Sequence, residues 1–248
     1  MMKRFMLALR FLTVYPFGGD ENIDGTDLAA STIYYPIIGA MLGIILYWGL
    51  QLAQRAWPEI LASALIVTLW VLLTGGLHLD GLMDTFDGLG VRGDRARRLE
   101  VMRDSRVGAF GVQAAVLGGF IKILAVSQLI NRPDWMLGLI MAPVAGRTAL
   151  VALMATGRYA REGYGLGREF VERTSMVHLL LAVLLFLILG YAALSIAVFP
   201  LLIPQILIFF LLRYFFVQNF GGVTGDLLGA ACELHELTFL LLLPIILR

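Results

Sequence analysis

Long apolar windows, broken by short polar or proline-containing segments, dominate the chain. Seven windows are long enough to cross ~30 Å of hydrocarbon, at roughly residues 36–57, 59–78, 110–130, 135–156, 177–199, 201–220 and 227–247. Trp57-Pro58-Glu59, Asn131-Arg132-Pro133-Asp134 and Phe199-Pro200 separate consecutive windows and predict tight hairpins. Two longer polar connectors, residues 92–106 and 158–173, remain between the others. At the N-terminus, Met2-Lys3-Arg4 precedes a short apolar run that Arg10 interrupts, and no small-residue cleavage site follows. Residues 4–15 are therefore expected to form an interfacial or packed helix rather than a cleaved signal.

Composition turns this pattern into a statement about solvent. Of 248 residues, 59% are hydrophobic and only 15% charged, and the mean hydropathy is +0.84. That is too little polar surface to cover a water-soluble globule. The expected fold class is all-α, a polytopic membrane helix bundle of about seven transmembrane helices forming one integral membrane domain over residues 1–248, with its active site at the cytoplasmic face. Cys232 is the only cysteine, so no intrachain disulfide and no all-cysteine metal site exist.

The net charge of +1 is uninformative, but its distribution is not. Arg92, Arg95, Arg97, Arg98, Arg103 and Arg106 crowd the first connector, and Arg158, Arg161, Arg168 and Arg173 the second. The excess of Lys and Arg on cytoplasmic loops places both inside, and span counting then brings the N-terminus with Lys3, Arg4 and Arg10 to the same side and leaves the C-terminus outside.

Chemistry enters with the run from Gly75 to Gly88, which sets Asp80, Asp84 and Asp87 at the end of an apolar segment. On a helix these three fall within one narrow stripe and repel unless a cation sits between them. A hard divalent ion such as Mg²⁺ suits carboxylate oxygens and substrate phosphates, which points to phosphate-transfer chemistry at a membrane surface. Gly221-Gly222-Val223-Thr224-Gly225-Asp226 repeats the theme, and Glu233 lies two helical turns beyond Asp226, so the seventh window is expected to supply a second carboxylate wall. The plainer reading is a helix-packing glycine motif with Asp226 as N-cap. Lys122, Arg147, Arg213, Glu233, His235 and Glu236 fall in or near spans. An unpaired charge there costs roughly 2.5 to 3.5 kcal/mol, so they are expected to face one another or a wet cavity, with Arg213 equally suited to snorkelling.

Several segments resemble the cobalamin synthase (adenosylcobinamide-GDP ribazoletransferase) family. They are Gly75 to Gly90, Leu99 to Gly111, Arg158 to Gly167, the late Gly-Gly-Val-Thr-Gly-Asp and the N-terminal Phe11-Leu12-Thr13-Val14-Tyr15-Pro16. They occur in order over nearly the whole chain. Met83 and Phe86 depart from the small residues of the family's acidic motif, but neither lies on the carboxylate stripe.

The resemblance implies a bacterial inner-membrane enzyme of late cobalamin nucleotide-loop assembly. The phosphocobinamide moiety of adenosylcobinamide-GDP passes to α-ribazole or α-ribazole 5′-phosphate, and GMP leaves. The partners are these substrates and membrane lipids; no nucleic acid is expected, and a homo-oligomer is left open. On this reading Asp80, Asp84, Asp87, Asp226 and Glu233 hold Mg²⁺. Arg103, Arg106, Arg158 and Arg161 contact phosphate, and Lys122 and Arg147 belong to the substrate-binding set, by direct contact or by ion-pair support of the cavity. Asp104 binds metal through water, acts as general base on the ribose hydroxyl, or pairs with Arg103 or Arg106, and His78 is either a base or a hydrogen-bonded structural group at a helix end. For Arg95, Arg97 and Arg98 the positive-inside bias suffices.

Two other classes compete. Asp84 and Asp87-Gly88 reproduce the D-x-x-D-G opening of CDP-alcohol phosphotransferases, but Val101, Ser105 and Ala109 stand where that signature needs glycine and two aspartates. A transporter would also use intramembrane charges, yet no repeated half-motifs occur.

Overall fold

A computed structural model describes residues 1–15, 24–163 and 165–247, so Pro16 of the N-terminal motif and Tyr164 of the second connector lie outside the described residues. The described residues form helices and no strand. In chain order these are α1 (Met2–Leu12), α2 (Gly25–Ser31), α3 (Tyr35–Ala53), α4 (Glu59–Thr74), α5 (Leu77–Gly90), α6 (Arg95–Val101) and α7 (Ala109–Ser127). The chain continues through α8 (Pro133–Met136), α9 (Gly138–Thr156), α10 (Leu166–Arg173), α11 (Met176–Leu194), α12 (Val198–Phe220) and α13 (Gly225–Ile246).

Five described stretches are long and apolar enough to cross a membrane: Gly25–Ala53, Ala109–Ser127, Asp134–Thr156, Met176–Phe220 and Gly225–Ile246. A sixth arises if α4 and α5, which meet at a bend of 92°, are taken as one broken span. The reading of about seven windows is consistent with this. At 45 residues, Met176–Phe220 is far longer than one crossing requires. It breaks at Ser195, where φ is 53°, and α11 doubles back on α12 so that Met176 and Arg213 line the same cavity.

The bundle is built round α9, which packs against α3, α11 and α13. Its buried face includes Leu139, Met141, Val144, Leu150 and Leu153. In contrast, α7 and α11 leave large apolar side chains such as Val116, Phe120, Leu180 and Ile188 exposed, as lipid-facing helices do. α1 is a packed amphipathic helix that buries Leu7, Ala8, Leu9 and Leu12, and Lys3 and Arg4 pair with Asp27 at the start of α2.

The feature that positions the site is the α4–α5 bend. Gly75 and Gly76 have φ of 61° and 69°, the left-handed region that side chains with a Cβ disfavour. Two successive left-handed residues end α4 and send α5 off across the bundle, where it packs on α7 and α13. The backbone N–H of Val14, from the N-terminal motif, donates to Leu73 O at 2.9 Å and secures the bend from outside.

Candidate active site

Asp80 and Asp84, one turn apart on α5, meet the first turn of α13 because both helices are stripped to backbone at their crossing. A Cβ on Gly81 would lie 2.7 Å from Asp226 O, and one on Gly229 would lie 3.2 Å from His78 O. The glycine at 229 is therefore a packing device, as the plainer reading held, but the packing brings carboxylates together. Asp226 is not the helix cap. Thr224 is, its hydroxyl accepting from Leu227 N–H at 3.2 Å, which leaves the Asp226 carboxylate available in the first turn.

Asp84, on α5 and outside the five apolar spans, is half-buried. Burial and the like charges of Asp80, Asp226 and Asp87 push it from the ordinary 3.8 up to about 6, against the opposing pull of Arg161. This crowding of acid is the condition that a hard cation relieves, and Asp80, Asp84 and Asp226 would supply oxygen donors of the right kind. Among the described residues no three His, Cys, Asp or Glu groups converge closely enough to hold a bare ion. Oxygens from a phosphate substrate would have to complete the shell, which is the usual arrangement for Mg²⁺.

Arg161 reaches the same place by a separate route. The second connector and the α12–α13 turn form a short parallel bridge in which Val223 N–H donates to Arg158 O and Ala160 N–H to Val223 O, each at 2.9 Å. That bridge carries Arg161 onto Asp226, Nη2 to Oδ2 at 2.7 Å. The buried Nε of Arg161 has no hydrogen-bond partner, so Asp226 is the group that fixes this guanidinium.

Other expected site residues are engaged elsewhere. Asp87 is buried, and its two oxygens accept from Gly108 N–H and Gly111 N–H at 2.8 Å each. It anchors the N-terminus of α7, where amides lack helical partners, and its influence on Asp84 is through charge. Asp104 forms a close pair with Arg106, Nη2 to Oδ2 at 2.7 Å. That partner holds the carboxyl down at about 2, so Asp104 is a weak base, and Arg106 is committed to it. Arg103 is exposed, with no side-chain partner among the described residues. Arg158 donates from Nε to Gly221 O at 2.7 Å, joining Arg95 on Gln218 O and Arg98 on the Asn219 side chain. These three arginines cap the carbonyl end of α12, a favourable place for cations.

Lys122, Arg147 and Glu233 form a second polar layer, separate from the carboxylates at the helix crossing. Lys122 Nζ donates to Glu233 at 2.8 Å and to Glu236 at 2.5 Å, and Arg147 pairs with the other oxygen of Glu236. Two cations and two anions balance, Lys122, Arg147 and Glu236 buried and Glu233 partly so, as intramembrane charge demands. The spacing did put Glu233 on the Asp226 stripe, but two turns of helix carry it to Lys122. Arg147 is fully buried, and Glu236 is its anchor. His78 is also buried, packed under Gly229 and feeling the charges of Arg147 and Lys122, with Nε2 unpartnered.

An open cavity of about 570 Å³ lies against Asp80, between Thr13 and Val14 of the N-terminal motif and the Gly75-Gly76 bend.

The family model described as cobalamin-5-phosphate synthase matches residues 4–244. The chain belongs to the cobalamin-5-phosphate synthase family. Relatives of this synthase family agree over full length. A protein of Acetivibrio thermocellus named adenosylcobinamide-GDP ribazoletransferase is 36% identical over 245 residues, covering 97% of each chain. One of Pseudomonas putida with the same name is 39% identical, covering 97% of this chain and 98% of the relative. One of Clostridium acetobutylicum is 32% identical, covering 96% and 94%. No solved structure matches the chain.

Proposed function

We propose that this chain transfers the phosphocobinamide moiety of adenosylcobinamide-GDP to α-ribazole or α-ribazole 5′-phosphate, with release of GMP, at the cytoplasmic face of a bacterial inner membrane. One observation carries the assignment of the site: Asp80 and Asp84 of α5 are gathered with Asp226 of α13 at a glycine-lined crossing, and Arg161 is already bound to that cluster.

The reaction is a displacement at phosphorus. A ribose hydroxyl oxygen forms a bond to the phosphorus that bears the cobinamide arm, and the bond from that phosphorus to the bridging oxygen of the diphosphate breaks. The electron pair leaves with GMP, and the hydroxyl proton passes to solvent or a base. Mg²⁺, when bound at the carboxylates, would supply charge neutralisation for the diphosphate and the leaving group.

Asp80, Asp84 and Asp226 would hold that ion, and their positions on two packed helices would place the diphosphate beside them. Asp226 fixes the guanidinium of Arg161 beside the carboxylates, so this cation is oriented toward a phosphate before substrate arrives. The cavity beside Asp80 gives room for a non-reacting part of a substrate. Its pairing with Arg106 makes Asp104 a weak base, and burial of His78 argues against that residue as the base.

The test is donor specificity. Purified protein in detergent receives adenosylcobinamide-GDP with α-ribazole 5′-phosphate, or a CDP-alcohol with the same acceptor, each with and without EDTA. GMP and cobamide formed in equal amounts, lost with EDTA, is the expected result. CMP release from the CDP-alcohol without GMP from the first donor would overturn the assignment.

A further inference from the structure

On the side of α13 away from α5, the helices α9, α11 and α12 enclose a groove of about 620 Å³. No residue of α5 or α7 lines it, so it is distinct from the carboxylate site. Its walls are apolar, with Ala149, Val183, Ile206 and Phe209 among them. Ile206 and Phe210 are exposed on the outer surface of α12, so the groove opens sideways, toward lipid. Its inner end is closed by Gln205 and His235, buried and joined at 2.7 Å.

The other end is cationic. The groove shares Thr156, Phe210 and Arg213 with an adjoining cavity of about 590 Å³ that is also lined by Arg158 and Tyr214. Arg213 donates to Thr156 O at 3.2 Å, which turns it over the mouth of the groove. Arg158 is held by Gly221 O from the far side of the same cavity. Neither arginine pairs with a carboxylate among the described residues. Both guanidiniums therefore keep free donors facing one small space, beside the last residue of α9, Thr156, and the first of α11, Met176.

Length completes the argument. Along α12 the groove runs from Leu202 to Arg213, about 16 Å at the helical rise, which matches one leaflet of a ~30 Å hydrocarbon core. We propose that this groove binds an anionic glycerophospholipid, with one acyl chain between α11 and α12 and its phosphate on Arg213 and Arg158. A zwitterionic lipid offers the same chain, but its ammonium or choline group brings a positive charge to two arginines. Selection is therefore by headgroup charge.

Native mass spectrometry of the delipidated full-length protein tests this, with phosphatidylglycerol and phosphatidylcholine of identical chains as probes. The expected result is about tenfold tighter retention of phosphatidylglycerol. Arg213→Ala should reduce that preference to about twofold or less, while Arg213→Lys keeps most of it, which separates lost charge from lost fold. Ile206→Trp, an exposed position on the groove wall, should weaken both lipids by filling the chain site. Equal retention of the two lipids by the wild type, or an unchanged preference in Arg213→Ala, would overturn the proposal. So would unaltered binding of both lipids by Ile206→Trp.

Discussion

Asp84 and Asp87 are three residues apart on one helix face and carry different tasks. The carboxylate of Asp84 is crowded by acid, whereas that of Asp87 is satisfied by two amides. Because the pKa of Asp84 is raised, its charged form disfavours the metal-free fold above about pH 6, and that penalty fades as the pH falls toward 3.8. Cation binding has the opposite dependence, since a proton and a metal compete for the same oxygens. Mn²⁺ affinity, measured by calorimetry in detergent, should be flat above about pH 6.5 and weaken by up to about tenfold per unit below 6. A profile that stays level down to pH 5 would remove Asp84 from the ligand set. Asp87→Ala belongs to another category. It leaves two amides of α7 without their acceptor and should lower stability by about 2 kcal/mol, read as a fall in thermal midpoint that added Mg²⁺ does not restore.

At the scale of elements, the sequence pattern revealed a great deal about helices and less about which faces meet. Each apolar window coincides with a helix because hydrophobic length is a local property. The acidic stripe on α5 was legible for the same reason, as i, i+4 spacing fixes Asp80 and Asp84 on one face. Partnership was not. Asp226 and Glu233 share a face by spacing, yet one meets α5 and the other meets Lys122, because which layer a turn reaches depends on where α5 crosses α13. The Gly108 and Gly111 amides that engage Asp87, and the arginine caps on α12, are tertiary contacts with no local signature. Signals for the crossing did exist in Gly81 and Gly229, which permit close backbone approach. Gly81→Ala places a methyl against Asp226 O and must part the two helices. Turnover should fall about tenfold or more through misplacement of Asp226, with the purified protein still eluting as a folded species. Wild-type turnover would show that the close crossing is dispensable.

For the whole molecule, the arrangement of charge yields a single working face. Asp80, Asp84, Asp226, Arg161 and the arginine caps of α12 lie at one end of the bundle, and the neutral cluster of Lys122, Arg147, Glu233 and Glu236 ties α7, α9 and α13 together beneath it. The arginine-rich connectors belong to this face, and the positive-inside bias makes the cytoplasm its expected side. Labelling checks that orientation, and the buried Cys232 leaves a quiet background. In inside-out vesicles, Ser105→Cys and Gly163→Cys should react with a membrane-impermeant maleimide and Trp57→Cys should not. The reverse pattern would invert the topology.

The most direct test of the central claim, that the carboxylates joined by α5 and α13 run the transfer, is GMP release by Asp84→Asn at saturating Mg²⁺ and both substrates. The substitution keeps size and hydrogen-bonding capacity and removes one charge. Turnover is expected to fall at least about a hundredfold in a protein that elutes and unfolds like the wild type, since a lost metal ligand forfeits several kcal/mol of transition-state stabilisation. Turnover within about twofold of wild type would contradict the account, and the transfer would then have to be sought elsewhere on the molecule.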